Sequence, residues 1–255
     1  SGKDARIKLL ANSSGLSQLR MGDGDDGDIG GLTYDHSDNS MQFRVSNGEK
    51  ARFDSTGRLL VGHTSSRSHG GIEAHLQVIG TGTDDSSITL SRFSNNVHSP
   101  YLVFAKSRGG AVGTDTVVQN NDSIGRMTFF GNDGTDGNTP AAEIDVEVDG
   151  TPGSNDMPGR IVFRTTSDGA SSVTERMRIG SNGNITVNFD GAGNQTGQIL
   201  IADGTASAPG LSFWADGSND TGIFRSGANT LNFSTNGSER MRIDSSGNVG
   251  IGTSS

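Results

Sequence analysis

The unit Glu-x-x-Arg is the most repeated feature of this sequence that could carry chemistry. It occurs as Glu49 and Arg52, as Glu175 and Arg178, and as Glu239 and Arg242. Arginine stays protonated at ordinary pH and therefore cannot shuttle protons in a reaction. In each copy an apolar residue and a short polar turn closed by glycine follow the arginine. The repetition favours structural ion pairs, at the surface or between chains, that set chain register.

A second charged cluster lies in a glycine-rich stretch near the start of the chain. Asp23, Asp25 and Asp28 are candidate calcium ligands, because carboxylate oxygens are the ligands that calcium prefers. The stretch lacks the spacing and the closing Glu of an EF-hand, which makes a solvated turn the favoured interpretation. We therefore predict no metal site and keep these three residues as the only candidates.

Four carboxylates alternate along one predicted strand, at Glu143, Asp145, Glu147 and Asp149. Glycosidases place two carboxylates across a sugar, so this row is a possible catalytic group. The interleaved apolar residues favour an acidic stripe that faces outward, and one Trp and two Tyr leave little aromatic surface for sugar stacking. Since no nucleophile elbow, phosphate loop or dinucleotide motif appears either, we predict no catalytic residue, no cofactor and no enzyme activity.

The composition indicates a core that is shared with other chains. Only 30% of the 255 residues are apolar and 5% are aromatic, which is little for a chain that must offset its own conformational entropy. The apolar residues nevertheless recur in regular short runs, and the 39 glycines supply turns between them. With no cysteine, stability must come from packing and assembly.

Charge and hydropathy exclude two classes of partner. A net charge of −9 argues against binding to a nucleic-acid backbone, which needs a basic surface. No apolar run approaches the roughly 18 residues of a membrane span, so we predict no membrane insertion.

The elements that must position these residues are short β-strands. Period-two alternation between polar turns predicts strands along the whole chain and no substantial helix. Among them are strands at residues 5–10, 87–93, 101–107 and 199–202. The repeated phrases predict four β-modules, at residues 1–66, 67–120, 121–192 and 193–255. A further strand follows the first copy of the repeat, so by analogy the last module is expected to continue beyond residue 255.

Two phrases resemble the repeats of bacteriophage tail fibre proteins. One spans residues 29–43, and the other is Glu-Arg-Met-Arg-Ile at 239–243 with Gly-Asn-Val-Gly-Ile-Gly-Thr at 247–253. Such fibres often end in an intramolecular chaperone of the endosialidase type, which has no counterpart within this chain. The resemblance covers about half of the chain in recognisable phrases.

The resemblance implies an all-β, elongated and intertwined homotrimeric fibre, similar to a β-prism or a triple β-helix. Physical reasoning agrees with it, because a chain poor in apolar residues can complete layers with its symmetry mates on a three-fold axis. The candidates for that shared core alternate with polar residues: Met41, Phe43, Phe53, Phe233, Met241 and Ile243.

The function implied by the resemblance is that of a structural segment of a virion tail fibre. Such a segment would project a host-recognition tip and support adsorption to the bacterial surface. Its partners would be its own copies, other tail or fibre proteins, and a bacterial surface glycan or protein. Two alternatives stay open: a glycan-binding or glycan-cleaving tailspike domain, using residues 101–130 or the loop at Trp214, and a fibre of a phage-like contractile injection system.

Overall fold

The computed structural model describes residues 7–187, 199–213 and 219–252. Within them the chain is all-β, and the one helical element is a single 3-10 turn at Asp84–Ser86. The predicted all-β class without substantial helix is thus confirmed. No helix in this part of the chain is long and apolar enough to cross a membrane. Trp214 and the predicted module boundary at 192 and 193 lie outside the described residues.

The chain divides into two compact units, Ser1–Asn194 and Gln195–Ser255. The finer division into four modules stays a prediction. The first unit holds two sheets and the second unit holds one five-stranded sheet and a two-stranded ribbon.

The first sheet is a meander of six strands in sequence order. Strands β1 to β5 are antiparallel, and β6 adds parallel to β5. The strands are β1 (Leu16–Met21), β2 (Gly30–Asp35), β3 (Ser40–Val45), β4 (Gly48–Phe53), β5 (Leu59–Val61) and β6 (Leu76–Val78).

The second sheet is an antiparallel meander of five longer strands, with β7 and β11 at its edges. Its strands are β7 (Ser123–Phe130), β8 (Pro140–Val148), β9 (Gly159–Thr166), β10 (Val173–Ile179) and β11 (Ile185–Val187).

The second unit repeats this meander with shorter strands. A ribbon of β12 (Gly204–Thr205) and β13 (Ala208–Pro209) precedes the sheet. The sheet itself is antiparallel and runs in sequence order through β14 (Leu211–Ser212), β15 (Gly222–Phe224), β16 (Leu231–Thr235), β17 (Ser238–Ile243) and β18 (Val249–Ile251).

Two-residue turns close the hairpins at the centre of the first and third sheets. Ser46 and Asn47 have φ of 51° and 59°, and Asn236 and Gly237 have φ of 49° and 66°. Positive φ at both central residues is the backbone of the tight turns that match strand twist, and Asn and Gly tolerate it best. The two hairpins are therefore specified locally by their turn residues.

Each sheet has one polar and one apolar face. In the first sheet Leu32, Phe43 and Ala51 stand side by side on neighbouring strands, whereas Thr33 and Gln42 pair on the other face. The polar face is the more enclosed one, because its side chains cover each other. Few apolar side chains of the described residues are buried, namely Leu60, Val118, Val148, Val162 and Phe224.

Four predicted strands are wrong in the described residues. Residues 7–10, 87–93, 101–107 and 199–202 belong to no strand, although their sequences alternate or are apolar. A strand needs a hydrogen-bonded neighbour, and these segments have none within the described part of the single chain. Period-two sequence alone does not supply that neighbour.

Candidate functional site

A β-bulge places Glu49 and Arg52 on the same face of β4. In a regular strand, residues three apart point to opposite faces. Here Phe43 pairs with Ala51 and Arg44 pairs with Glu49, so Lys50 is left without an opposite residue. The extra residue returns Arg52 to the side of Glu49. Arg52 Nε then donates to Glu49 Oε1 at 2.5 Å and its Nη2 donates to Oε2 at 2.7 Å.

The same bulge and the same two-pronged pair recur in the other two copies. In β10 the bulge leaves Arg176 without an opposite residue on β9, and in β17 the bulge leaves Arg240 without an opposite residue on β16. The donor to acceptor distances are 2.5 and 2.7 Å from Arg178 to Glu175, and 2.6 and 2.8 Å from Arg242 to Glu239. The structure thus brings together all six residues that the sequence singles out as ion pairs, each pair within its own strand.

Neighbouring polar side chains enclose these pairs. Arg52 also donates to Asp38 at 2.9 Å, and the Arg52 and Glu49 side chains are only 11% and 14% exposed. In the third copy the fully buried Asn232 donates to Glu239 Oε2 at 2.9 Å. The hydrogen bond from Arg242 lowers the pKa of Glu239 below its usual value. The pairs are therefore fixed parts of the polar faces.

The turn after each pair is also built alike. Gly57, Gly183 and Gly247 have φ near +80°, and each amide donates to the carbonyl three residues earlier. Asp54 accepts from the amides of Thr56 and Arg58. Burial acts to raise the pKa of Asp54, but these hydrogen bonds and the Arg58 guanidinium outweigh it and bring the pKa to about 2. In the first and third copies the turn therefore combines an aspartate cap, Asp54 or Asp244, with a glycine that accepts a left-handed backbone, whereas Gly180 stands at the cap position of the second copy.

The carboxylates of β8 share one face of the sheet, as expected, but arginines cover them, so they do not form an open acidic stripe. Asp145 is fully buried, and Glu143 and Glu147 are each 8% exposed. Arginines on the adjacent strands cover them. The contacts run from Arg126 to Asp145 at 2.6 Å, from Arg160 to Glu147 at 2.5 Å and to Asp149 at 2.9 Å, and from Arg164 to Asp145 at 3.0 Å and to Glu147. The stripe is the neutralised polar face of the second sheet.

This environment is unfavourable for acid catalysis by Asp145. Burial acts to raise the pKa of Asp145, but hydrogen bonds from Ser123 and Arg126 outweigh it and hold the pKa below its usual value. A glycosidase acid needs the opposite shift, so that its carboxyl keeps a proton near neutral pH. The arrangement instead ties three strands together through charge-assisted hydrogen bonds.

The apolar faces lie open within the part of the single chain that the structure describes. Met41, Phe43 and Phe53 are 38%, 39% and 42% exposed, and the two Phe rings meet edge to face with centroids 6.4 Å apart. In the third sheet Phe233 pairs with Met241 and Leu231 pairs with Ile243. Phe233, Met241 and Ile243 are half-buried beside the exposed Leu231, Val249 and Ile251. The six predicted core candidates thus lie on faces that residues 7–187, 199–213 and 219–252 leave uncovered.

The second sheet carries an equivalent face that the sequence prediction missed. Met127, Phe129, Val146 and Ile161 are exposed on its apolar side. The signal was present, because Met127 and Phe129 alternate with polar residues just as Met41 and Phe43 do. Each of the three large sheets in the described ranges therefore carries one apolar face.

The acidic loop is closed by its own hydrogen bonds. Asp23 Oδ1 accepts from the amides of Asp25 and Asp26 at 3.0 and 2.9 Å, and Asp28 pairs with Arg20 at 2.7 Å. Over the described ranges, no three His, Asp or Glu side chains form a group that could hold a metal ion. The loop has the geometry of an Asx-type turn.

Comparison with known proteins gives a partial likeness to solved tail fibre structures. No family model and no curated protein matches the sequence. The carboxy-terminal domain of the bacteriophage T5 L-shaped tail fibre matches with a TM-score of 0.48 and 15% identity, over 74% of this chain and 79% of that chain. The same T5 domain solved with its intramolecular chaperone domain gives the same TM-score and identity, over 74% of this chain and 55% of that one. These likenesses establish no family for the chain.

Proposed function

We propose that this chain is a non-enzymatic structural segment of a bacteriophage tail fibre, assembled as a homotrimer in the virion. The observation that carries the proposal is that each of the three large sheets has a polar face with paired charges and an apolar face that the described residues leave uncovered. The repeat phrases at residues 29–43 and 239–253, which resemble tail fibre sequences, support the same assignment.

The polar faces are suited to the outside of an assembly. Their charges are paired within the chain, as Glu49 is with Arg52 and Asp145 with Arg126. Groups already paired in this way need no charged partner from another molecule. The apolar faces, by contrast, gain free energy when they leave water.

The gain from covering the apolar faces is large enough to drive association. A Phe side chain exposed to the extent of Phe43 presents roughly 80 Å² of apolar surface, which is worth about 2 kcal/mol when buried. Several such residues on each of three faces, in each of three copies, outweigh an association cost on the order of 10 kcal/mol. A second and a third copy of the chain can bury these faces, because each copy presents the same apolar faces in the same order along its sequence.

A fibre segment of this kind transmits position and force. Repeated hairpins with locked ion pairs hold strand register, and the shared apolar core holds the three chains together. In this role the chain projects a host-recognition tip, joins other tail or fibre proteins, and supports adsorption to a glycan or protein of the bacterial surface.

Immunogold electron microscopy tests the location. Antibodies against this chain should label the tail fibres of virions whose genome encodes it, and their Fab fragments should reduce adsorption to the host. Label confined to the capsid, or absent from intact particles, would contradict the proposal.

A further inference from the structure

Residues 87–107, which we call the arm, are the first part of the longest stretch without strand or helix among the described residues, which runs from residue 87 to residue 122. They follow the 3-10 turn and precede Arg108, and every one of them is exposed. No backbone to backbone hydrogen bond joins the arm to any other described residue. Buried backbone groups in proteins are almost always paired, and paired strands are the usual state of extended chain.

The arm is too apolar for a solvated loop. Phe93 and Val97 are each 98% exposed, and the continuous apolar run at residues 101–105 is exposed along its whole length. A short continuous apolar run is typical of a strand buried on both faces. In the single chain, a segment with the sequence of a buried core strand is therefore exposed to solvent.

Both ends of the arm are fixed to the body. Before it, the Ile79 amide donates to the Val61 carbonyl at 3.1 Å. After it, Arg108 holds Asp122 through two hydrogen bonds of 2.6 and 2.7 Å. Phe104 rests against Gly125 of β7, where an added Cβ would come within 2.5 Å of the Phe104 Cβ. The arm is thus a tethered span that returns to the second sheet at its β7 edge.

We propose that the arm pairs as a β-strand with a second copy of this chain and is buried between copies. This inference rests on the homotrimer of the proposed function and names the segment that interlocks it. About 21 extended residues reach at most roughly 70 Å, which is far wider than a sheet of five or six strands. The arm is therefore long enough to extend away from the sheets of its own chain and to return to β7.

The second copy offers what the arm lacks. It carries the same β7 edge, which has no strand on its outer side within the described residues, and the same uncovered apolar faces. Addition of an extended segment to a free edge supplies main-chain hydrogen bonds, while the adjoining faces accept the apolar side chains. A contact of this head-to-tail kind closes into a ring when the rotation allows it, as it does for three copies.

Hydrogen exchange of the unmodified full chain tests the inference, with sedimentation equilibrium run on the same sample. Amides within residues 88–105 should exchange at least a hundredfold more slowly than an unstructured peptide of the same sequence. A trimer whose arm exchanges at unstructured rates would overturn the arm inference and leave the proposed function standing. A monomer would overturn the proposed function, and with it the arm inference.

A matched pair of variants gives a second readout. Val103 lies in the apolar run of the arm, whereas Val112 lies in the fully exposed turn that follows Arg108. Val103→Asp should raise the concentration of half-dissociation of the trimer more than tenfold, and Val112→Asp should leave it unchanged. Equal behaviour of the two variants would overturn the inference.

Discussion

Arg52 Nε lies 2.5 Å from Glu49 Oε1 in β4, although residues three apart in a regular strand face opposite sides of the sheet. The unpaired Lys50 between them makes the contact possible. Because the bulge recurs at Arg176 and Arg240, the Glu-x-x-Arg phrase encodes a bulged strand as well as an ion pair.

Loss of the Arg52 guanidinium should destabilise the first unit strongly. Arg52→Met leaves the largely enclosed Glu49 carboxylate without its partner, which costs about 3 kcal/mol or more in the free energy of unfolding. The matched control is Arg20→Met, because Arg20 and Asp28 are about half exposed and such a pair is worth at most about 1 kcal/mol. Denaturant unfolding of both variants measures the difference, and equal losses would contradict a structural role for the Glu-x-x-Arg pair.

The glycine that closes each repeat should be needed for its backbone conformation alone. Gly57 has a φ of 81°, and an added Cβ would meet no atom within 4 Å. Gly57→Ala should therefore cost about 1 kcal/mol through left-handed strain, without any steric clash. Gly131 has equally open space and no positive φ in the left-handed range, so Gly131→Ala should be nearly neutral. Thermal unfolding compares the two, and a neutral Gly57→Ala would refute the turn assignment.

Stability should fall as the pH drops below about 4. The pKa values of Asp54 and Asp149 are both about 2 in the folded chain, below the usual value of 3.8. For Asp149 the cause is hydrogen bonding to Ser181 and Arg160. A lowered folded pKa stabilises the fold above the unfolded pKa, and this contribution is lost as pH falls from about 4 toward 2. Unfolding midpoints across this range check the prediction, and a midpoint that rises below pH 4 would contradict it.

A charge on an apolar face should prevent assembly. Phe43→Asp removes about 2 kcal/mol of burial in each of three copies and adds an unpaired charge to the interface, so the trimer should weaken more than about a hundredfold. Met157→Asp is the control, because Met157 is an exposed apolar residue in the loop before β9 and outside the three faces. Light scattering of both variants measures the assembly, and a trimeric Phe43→Asp would exclude this face from the interface.

Much of the local structure could be predicted from the sequence. The alternation of Met41 and Phe43 with polar residues, and the Asn and Gly turns, place strands where the structure has them. The bulge at Lys50 could not be predicted, because a bulge depends on how two strands pair and not on the sequence of one strand alone. The enclosure of Asp145 was missed for the same reason, since Arg126 and Arg164 reach it from neighbouring strands.

The apolar run at residues 101–105 is a second case in which the sequence alone does not predict the structure. Its composition predicts a strand, but the described part of the single chain offers no edge that pairs with it. A sequence specifies which segments seek a partner strand, whereas the identity of the chain that supplies the partner is a property of the assembly.

The mass of the assembled protein tests the central claim most directly. Sedimentation equilibrium of the unmodified chain should give three times the chain mass of 26.4 kDa, independent of loading concentration over the micromolar range. A single species of 26.4 kDa would contradict the account, because the three apolar faces would then be stable in water without any cover.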